Sequence, residues 1–565
     1  MRAGALAVLL FVAASVAPAS AASGTRRPPA PPAAFNVDVA RIEPLAADRF
    51  VHLDGVGDYR GALELRRTDA GVGAVNDVAL EDYLKGIAEV PSSWPAEALR
   101  AQAIAARTYA LWVIQAGPSG TAAGLGAQIC ATDGCQVYAG LAKERAPDGA
   151  NWTAAVDATR GQVLLDHGRA LLAKYSASNG GRSVSGGQPY LKAVDDPDDA
   201  RSPLHHWSLT VGYDEVGRAL ATPGPVRSVR REGGDVVVGW TGLDAGVGVL
   251  NVPASDFRAK VNAAVAPPAD RSTPVPSLLF TLAGDDRARV AVLDGRGYGH
   301  GIGMGQWGAY GKALRGLKAP DILAAYYGGI RPSALPASQS PRGVRVAIDP
   351  GRPEALASAS SPFRVRDGRG RVVAAVASGA WRAVPGPKGG LRLLPPPAQA
   401  GTPRLEVLGM DPPAPDIGRP VALRFHSTVP ALVSVRATPP GGTETQVLAA
   451  RPAGTEPVTV TLPAPVGPGA YAVSITADAG AGRAATLPLT PEVAAPAPPP
   501  DALRSTLVAG DREVAARVSR SAPVRSKETS DGGPPVGAHL GEVTAGVAFL
   551  GTCVLFSRRR RREGL

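Results

Sequence analysis

The chain is short of the residues that most often announce a chemistry. Cysteine occurs three times in 565 residues, as Cys130, Cys135 and Cys553, and histidine seven times. No paired CxxC, HExxH or GxSxG is present. Zincin and serine-hydrolase chemistry therefore lack their residues. No strong internal repeat is visible, and apolar runs that invite a membrane reading occur only at the two ends. Glycine and proline are plentiful instead, at 68 and 54 residues. They punctuate apolar periodic segments, which implies folded domains with loose connections.

At the N-terminus one arginine precedes an apolar stretch from Ala5 to Val16, and Ala19-Ser20-Ala21 follows. Small residues after a short apolar run are the mark of a cleaved export signal. A signal peptide over 1–21 is expected, then a linker over 22–34. At the other end, Val543 to Phe556 is largely apolar and Arg558 to Arg562 follow at once. Widened to 536–557, this run reaches the length of about 20 residues that a span needs. The expectation is a C-terminal transmembrane anchor with a basic cytoplasmic tail over 558–565. The body would then be exported and held on the outer face of the cytoplasmic membrane. Lys plus Arg exceed Asp plus Glu by 60 to 49, a net charge of +11. Outside the cytoplasm that charge faces membrane or acidic wall polymers rather than nucleic acid.

The pattern between the ends is α+β. Alternating runs with glycine turns at 51–68 and 156–187 read as short strands. Asp77 offers an N-cap for ALEDYLKGIAEV, which Pro91 stops. A second helix starts in SSWPAEAL and runs to Trp112, rich in alanine, with Arg100 and Arg107 seven residues apart on one inward stripe. One domain is expected over 35–336. A small all-β module is expected over 345–410, a β-sandwich of immunoglobulin or fibronectin type over 413–492, and a Pro-rich, disordered linker over 493–535.

Glu89 is the residue with most chemical promise. It sits between the two helices among Ile87, Ala88, Val90 and Pro91. Apolar surroundings raise a carboxyl pKa, which suits a general acid. In GRGYGHGIGMGQW, glycine recurs at every second place from Gly295 to Gly305. A polymer or a neighbouring strand could approach a face without side chains. Tyr298, His300, Gln306 and Trp307 project from the same region and are of types that hydrogen-bond to sugars or stack on them. In an exported chain, CATDGC reads first as a local disulfide between Cys130 and Cys135. It reads second as half a zinc site, with His205 and His206 as further ligands by type alone.

EVPSSWPAEALRAQAIAARTYA and GRGYGHGIGMGQWGAYGKA, with CQVYAG, YSASNGGRS and PYLKAVDDPDD between them, resemble the ordered signatures of the SpoIID/LytB family. This group comprises stage II sporulation protein D and the amidase enhancers. The likeness covers roughly residues 36–330. It implies a SpoIID-like catalytic region ahead of the all-β modules. It also implies either a lytic transglycosylase acting on peptide-free peptidoglycan glycan strands or a non-catalytic protein that enhances a cell-wall amidase. It gives Glu89 the role of catalytic acid, with Arg107, Tyr190 and Lys192 as supporting substrate-binding residues and His300 and Gln306 in the second signature. Some relatives hold zinc near the place of Cys130 and Cys135. No histidine adjoins them here, so the disulfide stays the first reading and no cofactor is expected.

Overall fold

The computed structural model describes residues 34–46, 48–242, 246–396 and 401–495. The expected signal peptide (1–21), nearly all of the 22–34 linker, most of the 493–535 linker, the 536–557 anchor and the 558–565 tail lie outside these residues. The expectation of a membrane-anchored protein is corrected: among the described residues no helix is long and apolar enough to cross a membrane.

The architecture is mixed α+β with many sheets. Two sheets carry the body. The larger runs in the order Val372–Ala377, Phe363–Arg366, Val39–Pro44, Ala62–Thr68, Gly71–Val78, Val344–Arg352, Ile129–Cys130. The smaller runs Phe35–Val37, Leu391–Leu394, Trp381–Pro385, Ala355–Ala359, Phe50–Leu53, Gly57–Arg60. Both interleave strands from the first 78 residues with strands from 344–394. The separate β module expected over 345–410 therefore does not stand. Those strands complete the sheets that begin at Phe35, and the first unit does not close at 336. Alternating apolar positions identify a strand but carry no information about which distant strand it pairs with.

The 21-residue helix Ala96–Ala116 lies between two cores. Leu99, Ala103, Ala106, Ala110 and Leu111 join the main cluster with Leu84, Trp152 and the sheet residues. Ala101, Ile104 and Ala105 join a second cluster with Met304, Ile322 and Tyr326. Small side chains on both faces let the helix be enclosed on two sides without overpacking. The helix before it is shorter than its pattern suggests. It spans Leu80–Lys85 and ends at Gly86, and Ile87 then forms a bridge with Tyr138.

Residues 206–296 form an insertion with its own core. Two three-stranded sheets and the helices Tyr213–Leu220 and Ala254–Ala264 enclose Trp207, Val211, Tyr213, Phe257, Val261 and Leu293. The insertion leaves and re-enters the body between Tyr175–Ser176 and Met304–Gly305, which pair in parallel. Beyond the body, residues 405–493 build a three-stranded and a four-stranded antiparallel sheet around Phe425, Val433, Val435, Tyr471 and Ile475. They touch the body where Ala375 N–H donates to Ala479 O and Ala481 N–H to Val372 O, both at 2.9 Å.

Candidate active site

Glu89 follows the end of the first helix, in a segment tethered by residues 135–138. Ala88 N–H donates to Val137 O at 2.8 Å, and Val137 N–H donates back to Glu89 Oε1 at 2.7 Å. The residue keeps partial solvent access while its carboxyl group is densely surrounded by protein. Burial pushes its pKa up to about 7, and the Asp133 charge adds to the rise. The Val137 N–H and the side chains of Tyr175 and Gln306 act in the opposite direction. These three donors are all neutral, so they orient the carboxylate without pulling its pKa into the ordinary range.

Each side-chain partner is itself held. Gln136, fully buried, donates from Nε2 to the Tyr175 hydroxyl at 2.8 Å and to Ala106 O at 3.2 Å. Its Oε1 accepts from the Tyr83 hydroxyl at 2.9 Å. Gln306 donates to Gln102 Oε1 at 3.3 Å. Tyr109 packs edge-on against Tyr175, ring centres 6.3 Å apart. Trp94, Trp307 and Tyr310 form a triangle with ring centres 5.1–5.2 Å apart, and all three stay partly exposed. Trp94 is five residues past Glu89, and Trp307 follows Gln306. Among the described residues, three buried polar atoms in these segments have no hydrogen-bond partner: Ser92 Oγ, Gln102 Nε2 and Ser176 Oγ.

The alternating glycines are not a flat extended face. Gly297, Gly299, Gly301 and Gly303 all have φ between 69° and 98°, a region other residues avoid. The segment lies against residues 174–178. A Cβ on Gly303 would fall 2.0 Å from Lys174 O, and one on Gly297 would fall 2.6 Å from Ser178 O. The close neighbour is thus a strand. Tyr298 joins this contact through a backbone bridge with Ser178; burial raises its hydroxyl pKa, and the Ser272 side chain offsets only part of the rise. His300 Nδ1 accepts from Ile302 N–H at 2.9 Å. Its imidazole pKa is pushed down to about 4 by surrounding protein and by Lys174, so the ring is neutral at neutral pH.

Two residues expected to bind substrate, Arg107 and Tyr190, are committed to the interior. Arg107 is fully buried and points at Glu81, to which Nε and Nη2 donate at 3.0 and 2.7 Å. It also donates to Val156 O and Gln162 O. It is a tie between helices. The stripe with Arg100 splits, since Arg100 is partly exposed and donates to Glu97 at 2.6 Å. The Tyr190 hydroxyl accepts from Leu172 N–H at 3.0 Å within a buried cluster. Lys192 is exposed. Cys130 and Cys135 are joined as a disulfide, and Asp133 lies on the loop it closes. Among the described residues no group of three or more His, Cys, Asp or Glu side chains could hold a metal ion. His205 is taken by Asp199, with Nδ1 3.0 Å from Oδ2.

Sequence reasoning missed Tyr175, Gln136, Gln102, Tyr109, Asp133 and Trp94. Tyr175 and Gln136 sit inside segments already singled out, YSASNGGRS and CQVYAG. Nothing in their spacing pairs them with each other or with Glu89.

Comparison with known proteins assigns the chain's family. The family described as Stage II sporulation protein matches residues 68–165, which include Glu89, Gln102, Arg107, Gln136 and both disulfide cysteines. An uncharacterised protein of Brachyspira hyodysenteriae is 31% identical over 49% of this chain and 73% of its own length. Stage II sporulation protein D of Bacillus subtilis is 28% identical over 45% of this chain and 75% of its own length. The Amidase enhancer of Bacillus subtilis is 28% identical over 44% of this chain but 39% of its own length. The chain belongs to the SpoIID/LytB family.

Proposed function

We propose that this protein acts on the bacterial cell wall as a peptidoglycan lytic transglycosylase, cutting the MurNAc–GlcNAc bond of glycan strands stripped of stem peptides. The observation that carries the reading is Glu89: a half-buried residue whose carboxyl is enclosed by protein, its pKa pushed up to about 7, with neutral donors around it. Near neutral pH it is present both as acid and as base, which a proton-shuttling group needs. Protonated Glu89 gives its proton to the glycosidic oxygen as the C1–O bond breaks. The C6 hydroxyl of the same MurNAc attacks C1 and closes the 1,6-anhydro ring, and its proton returns to Glu89. No water is consumed, so the second carboxylate that most glycosidases use is not required. The Trp94, Trp307 and Tyr310 rings offer a platform for a pyranose face. A disulfide and a wall substrate fit an exported protein.

Similarity to the Amidase enhancer favours a second reading, in which the same cleft holds glycan and stimulates a cell-wall amidase without cutting. Incubating the full chain and Glu89→Gln with peptide-free glycan strands separates the two. Anhydro-disaccharide products from the parent alone, seen by mass spectrometry, support the enzyme. No product from either, with equal stimulation of an added amidase by both, overturns it in favour of the enhancer.

A further inference from the structure

We infer that two adjoining arginine-lined cavities beside the larger sheet form a second binding site, separate from the Glu89 site, for a polymer that carries oxyanions along its length. The inference does not depend on whether Glu89 cuts glycan.

The charges are gathered by strand register. Arg366 lies opposite Arg41, Arg41 opposite Glu64, and Asp77 opposite Arg345. Residues directly opposite, and residues two apart on one strand, share a face of the sheet, so Glu43 joins the same array. Glu64 is used up within it, since it accepts from Arg41, Arg66 and Arg345. Asp77 accepts from Arg41 at 2.6 Å, and Glu43 from Arg41 and Arg366 at 2.6 and 3.0 Å. Four arginines thus rest on three carboxylates.

The cavities open over this array. One has a volume of about 430 Å³ and the other about 420 Å³. Asp77, Arg342 and Gly343 line both, so the two join as a trough. Arg41 and Arg49 line the first and Arg345 the second, and the carboxylates of the lining are Glu43 and Asp77. Four guanidiniums therefore face two anions that other arginines already hold. None of the side chains around Glu89 lines either cavity.

The surplus sits at the rim. Arg342 is exposed and has no hydrogen bond or ion pair among the described residues. Arg49 is exposed too, and its ion pair is with the neighbouring Asp48 at 3.3 Å. A free guanidinium fork fits a carboxylate or a phosphate equally well. Cations spread along two cavities match repeated anions better than a single one, and protein walls focus their field. Acidic polymers of the cell wall have this chemistry, carried either by carboxylates or by phosphodiesters.

The test uses the full chain carrying Glu89→Gln, so that no polymer is cut, and three immobilised probes. These are peptide-free glycan strands, which bear a carboxylate on each MurNAc, poly(glycerol phosphate) and uncharged dextran. At low salt the protein is expected to bind an anionic polymer and not dextran. Adding Arg49→Glu and Arg342→Glu is expected to weaken that binding about tenfold, the difference shrinking as salt is raised. Loss on the glycan alone assigns carboxylates as the ligand groups, loss on poly(glycerol phosphate) alone assigns phosphodiesters, and loss on both assigns a site that reads the oxyanion. Arg227→Glu with Arg230→Glu, at exposed arginines of the insertion, changes the net charge equally and is expected to leave binding unchanged. Equal loss in the two charge-reversed pairs is a response to net charge and overturns the site. Unmoved binding in Arg49→Glu with Arg342→Glu, or a parent that binds neither anionic polymer, also overturns it. If the reversed pair does not fold by circular dichroism, Arg49→Gln with Arg342→Gln takes its place, with a smaller expected loss and the same overturning outcomes. Cleavage is read separately in the chain that keeps Glu89. No cleavage there, with binding lost in the reversed pair, removes the enzymatic reading and leaves the second site standing.

Discussion

Two enclosed glutamates in this body have opposite fates. Glu64, on Ala62–Thr68, is 5% exposed. Burial alone would raise its pKa, but the guanidiniums of Arg345, Arg66 and Arg41 pull it down to about 2. Arg345 grips both of its oxygens at 2.8 Å. Glu89 is enclosed too, yet its partners are an amide, a phenol and a peptide N–H, and its pKa rises to about 7. The sign of the partner's charge decides, not the depth of burial. A cation beside Glu89 would make a better ion pair and a useless acid.

The contrast can be broken by exchange of roles. Glu89→Gln is expected to lower glycan cleavage by about 10³-fold, the usual worth of a general acid–base group, with the fold intact by circular dichroism. Glu64→Gln is expected to leave three arginines without their shared anion and to cost about 3 kcal/mol in chemical denaturation.

A pH series sharpens the comparison. The folded pKa of Glu89 lies above its unfolded value of 4.5, so the folded state binds more protons in that window. Its contribution to stability therefore falls as pH rises from 4.5 to about 7 and is level beyond. Glu64 does the opposite: its contribution is full above 4.5 and is lost as pH falls toward 2. Glu89→Gln should be more stable than the parent at pH 8 by about 3 kcal/mol and no different at pH 4. Equal urea midpoints at pH 8 would contradict the raised pKa. The smallest effect tests Arg107, whose partner Glu81 makes it a structural cation like those around Glu64. Arg107→Lys keeps the charge but loses the two-pronged contact. It is expected to cost about 1 kcal/mol in thermal unfolding while activity per folded molecule stays unchanged.

What could be read from the chain and what could not divide along a physical line. Glu89 was marked by its immediate neighbours, and the alanine-rich helix by local periodicity. The cysteines lie five residues apart, close enough for a pairing to be considered. Arg107 was rightly read as inward, but its partner sits 26 residues back on another helix, and no pattern distinguishes that acid from a sugar carboxylate. Gln136 meets Tyr175, 39 residues on, and nothing local in the chain announces that pair. The strands after 343 looked like a module because they alternate well. Their pairing with strands near the start is a long-range fact that alternation does not encode.

That pairing has a consequence for how the protein comes into being. Glu64 meets Arg345 281 residues later in the chain. Cutting after Pro336, where the composition changes, would take three strands from each of the two main sheets. During synthesis the early strands emerge with their edges unpaired and wait for most of the polypeptide before they can close. Such waiting edges are prone to pair with the wrong partner. Residues 344–394 are therefore the latch of the first strands, and the body closes only after most of the polypeptide has been made.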